Sequence, residues 1–394
     1  MQSRLILTRD RVAQYCIGLL ICAAILQTFS LIQGKKIGGD FAVFYAEGLI
    51  AAKYSHAELY NTDLQDKEYA AIVGPQTSSP FAYAPWFTLP LELLARLPYL
   101  VAFLLWTTLS LFSLWTAYRL LSGAVNLPKS WDLVGFVACL AFPPYLFYSL
   151  LNGQPTAFAL LILSASFVLQ QQGRKYIAGL ILALLTYKLT LLVFLVPMLL
   201  FMREWRVFFG LTVGGAILLV VSLLWAGVQG CVGFLKLLLL YSKVLTSPVE
   251  VFQTEKYIDV GSAVRLLFGP QPIVRLLPLL ALPLLCFIWY RVGNRPISWS
   301  IAVLAGLLLS LYSPIYDTTA LIFVVLLFGI TRISTWLLIS LYLIPAVSVR
   351  LASVSRVQLF TVLLTVLATI LLRSAFSESP ARQLESLRVG STSG

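Results

Sequence analysis

At 394 residues, 59% of them hydrophobic and only 11% charged, with a mean hydropathy of +0.90, the chain is too apolar for a water-soluble domain, in which charged residues make up about a quarter. It reads as an all-α, polytopic membrane protein. The excess of 28 Lys and Arg over 16 Asp and Glu is dispersed between apolar runs and forms no patch, so it points away from a nucleic-acid partner and towards orientation in the bilayer.

Arg4, Arg9 and Arg11 precede the first apolar run, 12–33. That run is too long for the apolar part of a signal peptide and has no small-x-small cleavage site, so it is expected to stay as the first span. Residues 34–80 hold Asp40, Glu47, Glu58, Asp63, Asp66 and Glu68, against Lys35, Lys36, Lys53 and Lys67. This balance puts the loop outside and the N-terminus inside. The stretch 80–97 is apolar but interrupted by Pro85 and Pro90, and it carries Glu92 and Arg96. If it spanned, Arg119, Lys129 and every later basic loop would be inverted. It is therefore expected to be interfacial or re-entrant, closing a first outer loop over 34–97 and leaving 98–121 as the second span.

Further apolar runs follow at 132–150, 154–172, 176–187, 189–202 and 205–227. A second outer loop, 228–271, carries Lys236, Lys243, Glu250, Glu255, Lys256, Asp259 and Arg265. Runs at 272–291, 298–313, 316–331, 333–347 and 357–373 complete about twelve spans in one transmembrane domain, 1–373. Arg174 and Lys175, Arg203 and Arg206, Arg291 and Arg295, Arg332 and Arg373 then all face inside. The polar tail 374–394 is expected to be cytoplasmic and disordered. Five cysteines, Cys16, Cys22, Cys139, Cys231 and Cys286, stand singly and indicate neither a disulfide framework nor a zinc site.

The topology collects the unusual polar residues on one side. Asp40 follows the first span, Asn152-Gly153-Gln154 lies between the third and fourth, Tyr187-Lys188 between the fifth and sixth, and Tyr312-Ser313-Pro314-Ile315-Tyr316-Asp317 between the ninth and tenth. Ionisable groups at membrane depth are costly and by default suggest function. In order along the chain come Gly39-Asp40-Phe41 with Phe44 and Tyr45, then Tyr83-Ala84-Pro85, Asn152-Gly153-Gln154, Ala178-Gly179-Leu180 leading to Lys188, and Ser313-Pro314 with Asp317. Over about residues 35–320 this pattern resembles glycosyltransferase family 87, polyprenol-phosphate-mannose-dependent α-mannosyltransferases of the GT-C membrane fold. One departure is Lys188-Leu189, where the family usually has Lys-Pro.

The resemblance implies a GT-C-like bundle with interfacial helices in the first outer loop, in a bacterial plasma membrane with the site on the extracytoplasmic face. It implies a polyprenyl-phosphate sugar donor, a lipid or glycan acceptor, surrounding membrane lipids and no cofactor or metal. Transfer from a β-linked lipid phosphate to form an α-linkage inverts the anomeric carbon and needs one general base, a role that falls to Asp40. The leaving phosphate benefits from a fixed cation, for which Lys188, Arg265 and Lys256 are the candidates. Tyr45, Tyr83, Asn152, Gln154, His56 and Asp317 are the expected substrate contacts.

Each has a plainer alternative. Asp40 and Asp317 suit helix N-caps, Lys188 could snorkel, Asn152 and Gln154 could satisfy a turn, and His56 suits a surface loop. A transporter or flippase, or a non-catalytic assembly protein, are the competing classes; a transporter predicts charges near the bilayer midplane in paired halves.

Overall fold

A computed structural model describes residues 8–34, 36–76, 79–245, 253–293 and 295–377. Among these the protein is helical throughout, with one isolated antiparallel bridge, between Tyr257 and Pro314. Helix α1 (Arg9–Ile32) begins at Thr8, whose hydroxyl accepts from the Arg11 amide. It buries only Cys16 and Ala23; its other apolar faces are exposed, as a helix bathed in lipid allows.

The first loop then folds back on the bundle as α2 (Phe41–Lys53), α3 (Thr62–Val73) and α4 (Thr88–Ala95). Gly48 lets α2 and α4 touch, because a Cβ there would lie 2.2 Å from the Leu91 carbonyl oxygen. Eight residues rise about 12 Å at ~1.5 Å each, so α4 is too short to cross a hydrocarbon core about 30 Å thick.

Helix α5 (Tyr99–Ala124) is the second long span. Next come α6 (Asp132–Leu140) and α7 (Pro143–Tyr145), the latter running on to Leu150, with a 48° bend between them. Pro143 and Pro144 lack the N–H groups that would continue the ladder, which places the bend there. The chain continues through α8 (Thr156–Gln171) and α9 (Lys175–Leu182), which tightens into a 3₁₀ turn over Ala183–Tyr187. Lys188 stands at the break before α10 (Leu189–Leu192) and α11 (Leu195–Phe201).

Helix α12 (Trp205–Leu245) packs on α9 through two glycines. A Cβ on Gly179 would meet the Val207 carbonyl oxygen at 2.0 Å, and one on Gly210 that of Tyr176 at 2.2 Å. Such small-residue contacts let membrane helices approach closely. The remaining helices are α13 (Val260–Phe268), α14 (Leu277–Val292), α15 (Pro296–Leu309), α16 (Leu321–Phe328), α17 (Thr335–Ser355) and α18 (Leu359–Ser377). Trp299 of α15 is fully buried and donates to Gln170 Oε1 of α8 at 2.8 Å, satisfying its indole inside the bundle.

Three sequence expectations change. Each of the twelve apolar runs is helical, but among the described residues five helices are long and apolar enough to cross a membrane, or six if the bent α6–α7 pair is one span. The other six apolar segments are 10–17 residues long, below the roughly 20 needed for a crossing, because their helices end at 3₁₀ turns, glycines or polar breaks that hydropathy does not register. The count of about twelve spans is therefore not confirmed. Secondly, the stretch 228–245 of the second outer loop is helical: α12 breaks at Gly227 (φ 65°) and resumes, since glycine accepts that conformation without a side-chain clash. Thirdly, α18 extends through 374–377, and the remainder of the expected tail, 378–394, lies outside the described residues.

Candidate active site

Seven chain segments meet around one cavity of about 190 Å³, whose walls include Asp40, Tyr83, Gln154, Lys188, Tyr257 and Asp317. The first is the turn that begins α2. Gly38 takes φ 69°, and the Phe41 amide donates to the Asn152 carbonyl at 2.8 Å. Asp40 occupies the N-cap position but has αR dihedrals (φ −76°, ψ −22°) and makes no capping hydrogen bond. Capping requires extended backbone so that the side-chain oxygen can turn back to the helix; here the carboxylate is directed elsewhere. Its Oδ2 accepts from Gln154 Nε2 at 2.9 Å.

The Asn152-Gly153-Gln154 turn presents that amide. Gly153 has φ 79°, and a Cβ on it would fall 2.5 Å from that of Phe41, so only glycine fits against α2 here. Its carbonyl accepts from the Trp106 indole at 2.7 Å. Gln154 Oε1 accepts from the Tyr83 hydroxyl at 3.2 Å. An ionised carboxylate only accepts, so the amide N–H faces Asp40 and the oxygen is left for the phenol. Tyr83, Phe87 and Tyr187 form a column, with centroids 5.3 Å apart and then 4.7 Å. The Tyr187 hydroxyl donates to the Pro155 carbonyl at 2.7 Å.

Lys188 and Asp317 complete the cavity from two further breaks. Lys188 Nζ donates to Asp317 Oδ1, their side chains are 5% and 3% exposed, and Nζ stands 4.9 Å from the Tyr316 ring centroid. The lysine therefore does not snorkel, and Asp317, inside the 3₁₀ turn Ile315–Ala320, caps no helix. The Ser149 and Thr156 hydroxyls lie 2.5 Å apart and Thr156 donates to Thr319 at 3.1 Å. That chain ties the Gln154 turn to the Asp317 segment.

Burial raises the pKa of Asp40 above the ordinary carboxylate value, opposed in part by the Gln154 hydrogen bond and then by the charge of Lys256. Both opposing effects favour the ionised form. Asp259, wholly buried between Ser262 and Ser313, is pushed up to about 6 by burial, against the hydrogen bonds that Ser262 and Ser313 donate.

The other expected contacts hold the frame or stand away from the cavity wall. Tyr45 donates to the Leu97 carbonyl at 2.7 Å and packs edge-on to Tyr99. Asn152 turns its side chain back to the Phe147 carbonyl, 3.3 Å away. His56 stacks on Trp225 with centroids 4.1 Å apart and lies 3.5 Å from Glu92 Oε2. Lys256 is exposed, and Arg265 is half-buried on α13; neither lines the cavity. Sequence reasoning did not single out Tyr187, Tyr257, Tyr312 and Tyr316 as site residues, although all four line it; three of them stand in or next to the polar breaks that it did select.

A family model for glycosyltransferase family 87 matches residues 81–314. No curated protein and no solved structure matches the chain.

Proposed function

The chain belongs to glycosyltransferase family 87, which makes it a membrane glycosyltransferase, and on that premise we propose that it moves a sugar, mannose in this reading, from a polyprenyl-phosphate donor to a hydroxyl of a lipid or glycan acceptor. The site faces the extracytoplasmic side of a bacterial plasma membrane, the side to which the distribution of Lys and Arg assigns it.

The reading rests on Asp40 and Lys188 standing on the walls of one cavity. Asp40 takes the proton of the acceptor hydroxyl as that oxygen attacks the anomeric carbon, and the bond from that carbon to the phosphate oxygen breaks with inversion. The products are the new glycoside, polyprenyl phosphate and a protonated Asp40 that returns its proton to water. Lys188 faces the charge that grows on the departing phosphate; an ammonium has three donors and Asp317 takes one.

A lipid-linked donor also suits the wall made by α12 beyond Gly227. Phe234 and Leu238 line the cavity, while Leu235 and Leu239, next along the same helix, are exposed. Apolar surface therefore continues from outside the bundle to the site. The test is turnover by the purified full-length protein. Transfer from polyprenyl-phosphate mannose to a hydroxyl acceptor, with none from a nucleotide sugar, is expected; efficient use of the nucleotide sugar would sink the donor assignment.

Asp40 works as a base only when ionised, and its pKa is raised. Activity therefore falls as pH drops through that raised value. Gln154→Leu removes a hydrogen bond that favours the ionised form, so the acid limb of kcat/KM moves to higher pH, as a pH–rate profile would show.

A further inference from the structure

We propose that Tyr316 binds the phosphate of the donor beside Lys188: its hydroxyl donates to one phosphate oxygen while the Lys188 ammonium meets another. The inference rests on the reading of the site as one for a sugar carried on a lipid phosphate.

Tyr316 stands next to Asp317 in the 3₁₀ turn Ile315–Ala320 and lines the cavity. The two neighbours hold Lys188 from different sides. Asp317 Oδ1 accepts from Nζ, and the Tyr316 ring faces Nζ with its centroid 4.9 Å away, within the range at which a ring face attracts a cation. The turn itself places the ring. Its Asp317 amide donates to the Pro314 carbonyl at 2.9 Å, the Thr318 hydroxyl to that of Ile315 at 2.5 Å, and the Thr319 hydroxyl to that of Tyr316 at 2.8 Å.

The Tyr316 hydroxyl takes no part in that framework. It makes no hydrogen bond to the protein among the described residues, and it is not sealed off from the cavity. Two other phenols of the wall are engaged: Tyr83 donates to Gln154 Oε1 at 3.2 Å and Tyr187 to the Pro155 carbonyl at 2.7 Å. A tyrosine packed into a protein normally finds a partner for its O–H, so an open one in the wall calls for an acceptor on the substrate.

The phosphate is the acceptor that this place favours. Among the described residues Lys188 is the one cation in the wall, and Asp317 takes one of its three N–H groups. A sugar phosphodiester spreads one negative charge over two non-bridging oxygens, which accept strong, charge-assisted hydrogen bonds. The ionised carboxylates of Asp40 and Asp317 have no proton to offer them, whereas a neutral O–H does. Because the hydroxyl sits on the edge of the ring that Nζ faces, one tetrahedral anion can meet both. As the bond from the anomeric carbon to the phosphate oxygen breaks, the charge growing on the phosphate strengthens both contacts, and the phenol keeps its proton throughout.

The experiment uses Tyr316→Phe in the purified full-length protein, which keeps the ring against Lys188 and removes only the hydroxyl. Two quantities are read: kcat/KM with polyprenyl-phosphate mannose, and the affinity for polyprenyl phosphate, the same lipid without its sugar. Both should fall roughly 10- to 100-fold, as for a hydrogen bond to a charged group. The KM for the acceptor and the unfolding temperature should stay at those of the parent. Turnover that falls with an unchanged affinity for polyprenyl phosphate would put the hydroxyl on the sugar or the acceptor and overturn the proposal. So would a rate and affinity within twofold of the parent, or a lowered unfolding temperature, which would give the hydroxyl to the fold. A parent protein that neither binds polyprenyl phosphate nor turns over the mannose donor overturns instead the functional reading on which the proposal rests.

Discussion

Asp40→Asn is expected to abolish sugar transfer while leaving the protein folded and in the membrane. A general base contributes about 10²- to 10⁴-fold to rate, and the amide cannot take the proton of an acceptor hydroxyl. The substitution is close to isosteric, and asparagine keeps an oxygen that can accept from Gln154 Nε2, so the contact between α2 and the 152–154 turn survives. Asp40 bonds no α2 amide, so no cap is lost. Initial rates with purified variant in lipid vesicles, beside its thermal unfolding, separate the two effects. Turnover within tenfold of the parent protein would remove Asp40 from the base role.

The second large effect concerns Lys188. Lys188→Met leaves Asp317 buried without its cation, and breaking such a pair costs about 3–5 kcal/mol of stability. Transfer should also fail, because the charge growing on the phosphate loses its fixed counter-charge. The double variant Lys188→Met/Asp317→Leu tells structure from function. Replacing both partners by apolar groups is often neutral, so it should recover thermal stability towards that of the parent while remaining inactive. If transfer returned with stability, the pair would be a structural brace and the phosphate would have to be met elsewhere.

Much of this was legible in the sequence because the chain is so apolar. Asp40, Gln154, Lys188 and Asp317 each interrupt or border an apolar run, and the expense of leaving a polar group in lipid makes such interruptions informative. Their convergence on one cavity follows the order of the short motifs. The role of Gln154 as donor to Asp40 was not legible, since it depends on the Tyr83 hydroxyl arriving from another segment to take the amide oxygen. Tyr45, Asn152 and His56 carried functional side-chain types, but their partners, Leu97, Phe147 and Trp225, are set by tertiary packing.

Helix lengths were the weakest reading. Hydropathy sees the apolar run 189–202 as one piece, whereas the chain breaks it into α10 and α11. The same blindness hid the continuation of α12 past Gly227, where one positive φ redirects the helix while its composition stays apolar. Asp259 was visible only as one acid among several in an outer loop, because nothing local announces a bond to Ser313.

The Lys188–Asp317 pair also bears on what the site ignores. Among the described residues the charged lining of the cavity is one ammonium and two carboxylates. A paired ammonium acts at a distance as a dipole, whose field fades faster than that of a bare cation, and an ionised Asp40 leaves the chamber slightly negative. The lining by itself therefore offers free phosphate and other small anions little net attraction. On the proposed reading, a phosphate on a membrane-anchored chain would be brought to Lys188 by its tail rather than by the charge of the lining.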